Sequence, residues 1–358
     1  MAESDVPPPG RSPEETELSA GKDASFWSRA GTGDTGAGRV LLVVNPSAGD
    51  REQAESVETP LVARLRSGLA VQGVQLDTLL FDPQGFTWTL REYLREHLEA
   101  RQGDNLLAIY IFGGDGTVLA VVEALDGQSV PIGIVPCGTM NWLARDLDLP
   151  LDPEAAVQAL LAPRTRQIDV GWVNGHVFLC ACMLGVAPLL ARYRERLRER
   201  SRWWRWPAVF FKALQLWGRY PHLRMTLVTD DPYQYRRHPH QLRSRTLVVV
   251  NNRIDRLLRL LPYRPQLDAG VLELYAMRRA TLRRLRALLG HLMSGDWNMD
   301  DVLLMQTGQA MRVELAGQGT LSVLLDGEIR HLRTPLRFSI KPRALTVLVP
   351  PAVTAEGG

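Results

Sequence analysis

The chain has 358 residues, is 45% hydrophobic and carries a formal net charge of +3 at pH 7. This size and hydrophobic content allow a substantial buried core and predict two domains. The three cysteines, Cys137, Cys180 and Cys182, are too few for a disulfide framework and lack zinc spacing, so we expect buried thiols in a reducing compartment. No run of about 18 apolar residues occurs, which argues against a membrane-spanning helix.

Residues 1–38 are rich in proline, glycine, serine and acidic residues, and only Phe26 and Trp27 bring large apolar side chains close together. Such a composition cannot bury enough surface to order itself, so we expect a disordered N-terminal tail. The segment also lacks the basic start and apolar stretch of a secretory signal. We therefore expect a cytoplasmic protein.

Residues 39–164 alternate between strand and helix patterns. Short apolar runs rich in β-branched residues predict strands over 40–44, 74–81, 106–112 and 130–135. Amphipathic or helix-like runs predict helices over 54–69, 87–100, 118–125, 141–147 and 153–161. This alternation is typical of an α/β domain with a parallel sheet.

Residues 165–342 have a different pattern. Eight short extended runs, separated by turns and two helical insertions, favour an antiparallel, sandwich-like domain. The runs cover 167–173, 176–183, 224–229, 246–251, 271–277, 311–315, 320–325 and 336–340.

A glycine-rich turn follows the predicted strand at 106–112. Gly113, Gly114 and Gly116 remove three side chains, so a ligand can come close to the backbone N–H groups. Thr117 then opens a helix-like run, whose unpaired N–H groups and positive dipole end favour an anion. The turn is a candidate phosphate site.

A second turn, Pro136-Cys137-Gly138-Thr139, follows the next predicted strand. Either turn alone is equally compatible with an ordinary loop. Together they predict a crevice at the carboxyl edge of a parallel sheet, where ligands of such sheets usually bind.

The paired motifs GGDGT and PIGIVPCGTMNWLAR resemble the catalytic domain shared by diacylglycerol kinases, sphingosine kinases and bacterial lipid kinases. The run Asn45-Pro46-Ser47-Ala48-Gly49 is similar to the first nucleotide-side motif of that family, and Asp326-Gly327-Glu328 is similar to its acidic motif. The resemblance extends from residue 39 to about 351. It implies an α/β domain followed by a β-sandwich-like domain, a C-terminal strand at about 343–351 that returns to the first domain, and an active cleft between them.

The resemblance also implies an activity, which is Mg²⁺-dependent transfer of the γ-phosphate of ATP to a hydroxyl of a membrane lipid such as diacylglycerol or a sphingoid base. Arg145 could offer positive charge to the phosphates. The residues expected to line or support the nucleotide pocket are Asn45, Ser47, Gly49, Gly113, Gly114, Asp115, Gly116, Thr117, Thr139, Asn141 and Arg145.

Two acidic residues are candidates for the general base. Glu328 is preferred because bacterial members of the family use the glutamate of the acidic motif, and Asp115 is the alternative used in the sphingosine kinase branch. Taken alone, Asp326-Gly327 is a hairpin-turn signal. By the same resemblance Asp169 and Asp268 are candidate metal ligands, although Asp169 is equally well explained as a strand-end turn.

Several positions depart from the family pattern. Trp142 stands where the family commonly has aspartate, Cys180 stands where it has asparagine, and 251–257 lack the usual glycine cluster. Altered acceptor specificity and lost activity therefore stay open, and a catalytically inactive lipid- or nucleotide-binding module is one alternative. A soluble kinase similar to NAD kinase is another, because that family shares GGDGT, but the Asn-Glu pair that it uses is not found here.

The segment 186–223 is strongly basic, with nine basic and two acidic residues, and a second run at 278–292 has five arginines and no acid. Arginine beside tryptophan is typical of a helix that lies on anionic lipid. We therefore predict a peripheral protein at the inner face of the membrane. Solvated helix faces with inward tryptophans are the alternative. Nucleic acid is not an expected partner, because no nucleic-acid motif accompanies the arginines. The neighbouring tryptophans are Trp203, Trp204, Trp206 and Trp217.

Overall fold

The computed structural model describes residues 26–27, 38–48, 59–99, 106–196, 212, 215–216, 219–230, 240–255, 263–277, 303–317 and 319–351. In this part of the chain none of the helices is long and apolar enough to cross a membrane.

The first unit is a parallel α/β structure. Its strands are β1 (Arg39–Val44), β2 (Gln75–Leu80), β3 (Leu106–Gly113) and β4 (Ile132–Pro136), in the order β2-β1-β3-β4 and all parallel. Its helices are α1 (Pro60–Ala70), α2 (Phe86–Glu99), α3 (Asp115–Leu125), α4 (Trp142–Asp146) and α5 (Pro153–Leu160).

Helices cover both faces of this sheet. Apolar residues of α2, α3 and α4 pack on one face, and those of α1 and α5 pack on the other. Every residue of β3 is buried, which explains its continuous apolar sequence. The sequence also sets where two helices begin, because Thr59 accepts a hydrogen bond from Val62 N–H and Asp152 accepts one from Ala155 N–H, each just before a proline.

The second unit is antiparallel. Strands β5 (Arg164–Val173), β6 (His176–Phe178) and β7 (Ala181–Gly185) precede helix α6 (Val186–Arg196). The remaining strands are β8 (Leu223–Asp230), β9 (His240–Ser244), β10 (Thr246–Asn251), β11 (Leu272–Met277), β12 (Leu303–Gly308), β13 (Ala310–Leu315), β14 (Thr320–Leu325), β15 (Glu328–Arg333) and β16 (Leu336–Val349).

Two layers of strands enclose the core of this unit. One is a six-stranded antiparallel sheet with the order β12-β11-β10-β7-β14-β15. The other contains β16, β13, β8 and β9, with β5 and β6 beside β16. Apolar side chains from both layers form one buried cluster. The predicted fold class, an α/β domain followed by an antiparallel β-rich domain, is confirmed.

The strand β16 belongs to both units. Its first part pairs antiparallel with β13, and Val347 and Leu348 pair in parallel with Ile132 and Gly133 of β4. β5 runs antiparallel to β16 along both parts, with a register shift between Lys341 and Leu345. The parallel sheet and one layer of the second unit are therefore a single ten-stranded sheet.

Sequence patterns missed some strands. The strands β9, with sequence HQLRS, and β15, with sequence EIRHLR, lie at sheet edges and expose much of their length, so their polar sequences lack a strand signal. The predicted strand over 176–183 is divided into β6 and β7, because residues 179–180 turn aside to meet Asp326.

Trp27 packs against the first unit, a contact that composition did not predict. Its side chain is 5% exposed, its Nε1 donates to Leu161 O at 2.9 Å, and its ring lies 6.3 Å from that of Tyr110. Residues 1–25 and 28–37 lie outside the described residues, so the disordered tail stays a prediction. Residues 54–58 and the insertion at 278–302 also lie outside them.

We expect Trp27→Ala to lower the free energy of unfolding by about 3 kcal/mol, because a buried indole is lost. Denaturant unfolding of the full chain would measure the change. The matched control is Trp88→Ala, since the Trp88 side chain is 70% exposed, and its effect should stay within about 0.5 kcal/mol. Equal effects for the two variants would contradict the docking of Trp27.

Candidate active site

The turn after β3 is closed by its own side chains and by the loop after β1. A Cβ at Gly113 would lie 2.6 Å from the Cβ of Thr117, so only glycine fits there. Asn45 Nδ2 donates to Thr117 Oγ1 at 2.7 Å, and Asn45 Oδ1 accepts from Ser47 N–H at 2.9 Å. The two predicted nucleotide-side motifs therefore meet. Gly49 lies outside the described residues.

The turn after β4 is closed by Asn141, which has a left-handed φ of 46°. Its Oδ1 accepts from Gly138 N–H at 3.0 Å, and its Nδ2 donates to Gly138 O at 2.8 Å. Arg145 is exposed and its Nε donates to Met140 O at 3.0 Å. Thr139 is exposed at the tip of the turn.

The two turns touch each other through their backbones. A Cβ at Gly138 would lie 2.6 Å from the Cα of Gly114. No side chain can be placed between them, so the two strand ends form one continuous backbone surface. This surface lies at the carboxyl edge of the sheet, where the sequence predicted a ligand crevice.

Asp115 connects the two turns. It is the first residue of α3, and its Oδ1 accepts from Leu143 N–H in α4 at 3.3 Å. Burial raises the pKa of its carboxyl group, and hydrogen bonds from backbone N–H groups at 141–143 oppose that shift. One oxygen of Asp115 is thus engaged in a hydrogen bond that holds α4 in place.

The acidic motif is a turn in the structure. Asp326 and Gly327 have φ values of 46° and 96° and connect β14 to β15, as the hairpin interpretation predicted. The Asp326 carboxylate accepts from the N–H groups of Leu179 at 2.5 Å, and of Cys180 and Ala181 at 2.8 Å each. Burial raises its pKa to about 6, although these hydrogen bonds oppose the shift.

This turn places Glu328 against the first glycine turn. Glu328 begins β15 and is exposed. Its Oε1 lies 2.9 Å from the position that a Cβ on Gly116 would occupy. The missing side chain of Gly116 therefore leaves the space in which the carboxylate lies. Asp115 and Glu328 consequently approach the same crevice from different units.

A second contact fixes the hairpin on α3. Glu123 lies near the C-terminal end of α3. Its Oε2 accepts a hydrogen bond from Arg330 Nη2 at 3.4 Å. His176 Nδ1 is 3.9 Å from Glu123 Oε1. Because Arg330 is two residues from Glu328, this group reinforces the position of the candidate base.

Two residues of the site were not predicted from the sequence. Asp146 and Arg264 form a wholly buried ion pair, with Arg264 Nη2 at 2.7 Å from Asp146 Oδ2. The guanidinium also contacts Cys180 Sγ at 3.3 Å and lies 6.0 Å from the centre of the Trp142 ring. Two of the positions that depart from the family pattern, 142 and 180, therefore lie beside this arginine.

The two predicted metal ligands, Asp169 and Asp268, lie within the described residues, and their role toward Mg²⁺ stays a prediction. Asp169 is 1% exposed, and its two oxygens accept from the N–H groups of Gly270 at 2.6 Å and Arg343 at 2.8 Å. Asp268 is partly exposed. Within the described ranges no group of three or more His, Cys, Asp or Glu side chains is arranged to hold a metal ion. Through these two hydrogen bonds Asp169 fixes the loop before β11 and the irregularity in β16.

Comparison with known proteins links this geometry to a family. The model of the diacylglycerol kinase catalytic domain matches residues 39–173. The protein named "Probable lipid kinase YegS-like" of Pseudomonas aeruginosa is 30% identical over 241 residues, which are 66% of this chain and 75% of that protein. A diacylglycerol kinase of Mycobacterium tuberculosis is 38% identical over 68 residues, 19% of this chain and 22% of that protein.

A solved structure has the same fold. The crystal structure of a diacylglycerol kinase from Bacillus anthracis aligns with a TM-score of 0.58 at 19% identity and covers 88% of this chain and 98% of its own. At this identity the likeness concerns the fold alone.

We expect Asp326→Ala to lower the free energy of unfolding by about 2–4 kcal/mol, since it leaves three backbone donors at 179–181 without their acceptor. Denaturant unfolding would measure the loss. The matched control is Asp126→Ala, because Asp126 is exposed and has the same φ of 46°. If both variants lost the same stability, backbone strain rather than the acceptor would explain the effect.

Proposed function

The chain belongs to the diacylglycerol kinase catalytic-domain family, and from this membership we propose that it is a lipid kinase that transfers the γ-phosphate of ATP to a hydroxyl of a membrane lipid. The acceptor class that we propose is diacylglycerol or a sphingoid base. The observation that carries the proposal is the meeting of two glycine turns with an acid from the second unit, where Glu328 lies over Gly116.

Phosphoryl transfer depends mainly on positioning and electrostatic stabilisation. We propose that the N–H groups of the first turn and the start of α3 bind the nucleotide phosphates, as helix N-termini commonly do. The contact between Gly114 and Gly138 supports this role, because it leaves the backbone open to a large anion. Exposed Arg145 would add positive charge beside the second turn.

Glu328 is the general base in this proposal. An exposed carboxylate at the edge of the crevice can reach a hydroxyl that enters from the membrane side, whereas Asp115 is partly occupied by Leu143 N–H. We expect Mg²⁺ to enter the site together with ATP. When bound, it would neutralise charge on the ATP phosphates. We assign no reaction step to a resident metal.

We expect the purified protein to transfer label from γ-labelled ATP, with Mg²⁺, to one lipid class of a mixed lipid extract. Glu328→Gln should lower turnover by about 100-fold or more, because it removes the base, and should leave nucleotide affinity within about twofold. Thin-layer chromatography of the labelled lipids and a nucleotide-binding titration would measure the two effects.

The matched control is Glu314→Gln, since Glu314 is an exposed glutamate of β13 whose described partner is Arg312. It should keep full turnover. Gly116→Ala should lower turnover, because the new methyl group displaces the Glu328 carboxylate. If Glu328→Gln were active and Asp115→Asn were inactive, the role of base would pass to Asp115. If no extract gave a labelled lipid, the result would favour an inactive binding module.

We also propose that the protein binds the inner membrane face peripherally through segment 186–223. In this segment the structure describes α6, on which Arg192 is exposed, and a few further residues. Lys212 Nζ lies 5.6 Å from the centre of the Tyr193 ring. The four tryptophans and the second basic run, 278–292, lie outside the described residues. The basic composition supports anionic lipid as the partner.

We expect the protein to float with anionic vesicles at low salt and to remain unbound with neutral ones. Replacing Arg198, Arg200 and Arg202 together by glutamine should weaken flotation by about tenfold or more, at roughly 1 kcal/mol for each charge. The matched control replaces Arg64, Arg66 and Arg95, which lie on exposed faces of α1 and α2. Equal loss in both triple variants would indicate a general charge effect and remove the segment from the proposal.

A further inference from the structure

Arg264 is fully enclosed where the two units meet. Its side chain is 0% exposed. Its Nε donates to Asp146 Oδ2 at 2.7 Å, and its Nη1 donates to Leu179 O and Asn251 O at 2.7 Å each. Its Nη2 lies 2.7 Å from Asp146 Oδ2 and donates to Cys180 Sγ at 3.3 Å.

Every nitrogen of the guanidinium thus contacts a protein group. The burial of Arg264 keeps nucleotide and lipid away from it. Any effect of this arginine on the reaction has to pass through the groups that it holds.

One group leads to Asp115. Asp146 ends the five-residue helix α4, and its Oδ1 also accepts from the backbone N–H of Arg264 at 2.9 Å. The other end of α4 holds the Asp115 carboxylate through Leu143 N–H. The ion pair thus fixes α4 at one end while Asp115 is bound at the other.

The second group leads to Glu328. Leu179, whose carbonyl accepts from Arg264, donates its own N–H to Asp326. Cys180 accepts from the arginine through its sulfur and also donates its N–H to Asp326. Asp326 forms the turn that leads directly into Glu328, which lies over Gly116.

We propose that the Asp146–Arg264 pair is the positioning element that sets the separation between Asp115 and Glu328 across the crevice. This inference rests on the proposed function, because it assigns the pair to phosphoryl transfer. A buried ion pair adds little net stability compared with apolar residues of the same volume. The hydrogen bonds of its guanidinium to Asp146, Leu179 and Asn251 are 2.7 Å long, and the planar guanidinium holds these acceptors in a fixed geometry, which is the property that positioning requires.

The test is Arg264→Lys, which keeps the positive charge and loses the fork. We expect turnover to fall about 100-fold, as for a displacement of the reacting groups by about 1 Å, with KM for ATP within about twofold. Arg39→Lys is the matched control, because Arg39 of β1 also pairs with an aspartate, Asp77 of β2, at 2.8 Å. This pair is separate from the Arg264 network, so the variant should keep full turnover. A large rise in KM with unchanged turnover would overturn the proposal.

A double variant separates positioning from general damage. If Arg264 acts through Glu328, then Arg264→Lys combined with Glu328→Gln should be about as slow as Glu328→Gln alone, since residues that act as a unit are non-additive. Full multiplication of the two losses would overturn the proposal.

A further variant covers the case in which lysine prevents folding. Asp146→Leu with Arg264→Met removes both charges and leaves neither partner alone, so the protein should fold. We expect its turnover to fall at least tenfold while circular dichroism and the unfolding midpoint stay near those of the unaltered protein. Unchanged turnover would overturn the proposal.

Hydrogen exchange distinguishes this inference from the proposed function. If the unaltered chain labelled no lipid, the lipid kinase assignment would fail, and exchange would then decide the inference alone. Arg264→Lys should accelerate exchange of the Leu143 amide and of the amides at 179–181 together, because one pair restrains both. Acceleration at only one of the two places, or at neither, would overturn it.

Discussion

The contact between Gly114 and Gly138 is the constraint on which the site depends. Two strands of a parallel sheet end side by side, and their turns meet backbone to backbone, with a hypothetical Cβ on Gly138 only 2.6 Å from the Cα of Gly114. Side chains at positions 114 and 138 would push the turns apart and cover the backbone N–H groups. Asn141 and Asp115 satisfy the polar groups that such tight turns leave unpaired. The bare backbone surface is therefore supported entirely by residues within or beside the two motifs.

The second unit contributes the remaining acid, and strand β16 joins that unit to the first. β16 pairs with β13 in one unit and with β4 in the other. The β14–β15 hairpin belongs to the six-stranded sheet, which packs on the layer of β13 and β16 through one buried apolar cluster. Glu123 and Arg330 add an ion pair between the hairpin and α3. The proposed base, Glu328 at the start of β15, is in this way held by the packed part of the fold, which a reaction that depends on positioning requires.

The local part of this structure was predictable and the long-range part was not. Buried parallel strands and glycine turns leave clear patterns in consecutive residues, so the first unit and the glycine turns at its strand ends were predicted. Asp146 and Arg264 are 118 residues apart, and nothing in the sequence around either shows that they meet. The sequence singled out Asp169 and Asp326 as acids of interest. Whether a carboxylate oxygen faces a metal, a substrate or the backbone is decided by residues far along the chain. Asp169, for example, accepts a hydrogen bond from Arg343 N–H. Edge strands β9 and β15 escaped because half-exposed strands carry polar residues.

The departures from the family pattern acquire a common explanation in the buried network. Trp142 lies beside the guanidinium of Arg264, and the Cys180 thiol accepts one of its hydrogen bonds. A carboxylate at 142 would place a third acid near Asp115 and Asp146, in surroundings where burial already raises the pKa of both. An aromatic ring avoids that repulsion and still contacts the cation through its face. Trp142 and Cys180 therefore belong together with the arginine, in a chain whose two turns meet and whose Glu328 lies over Gly116.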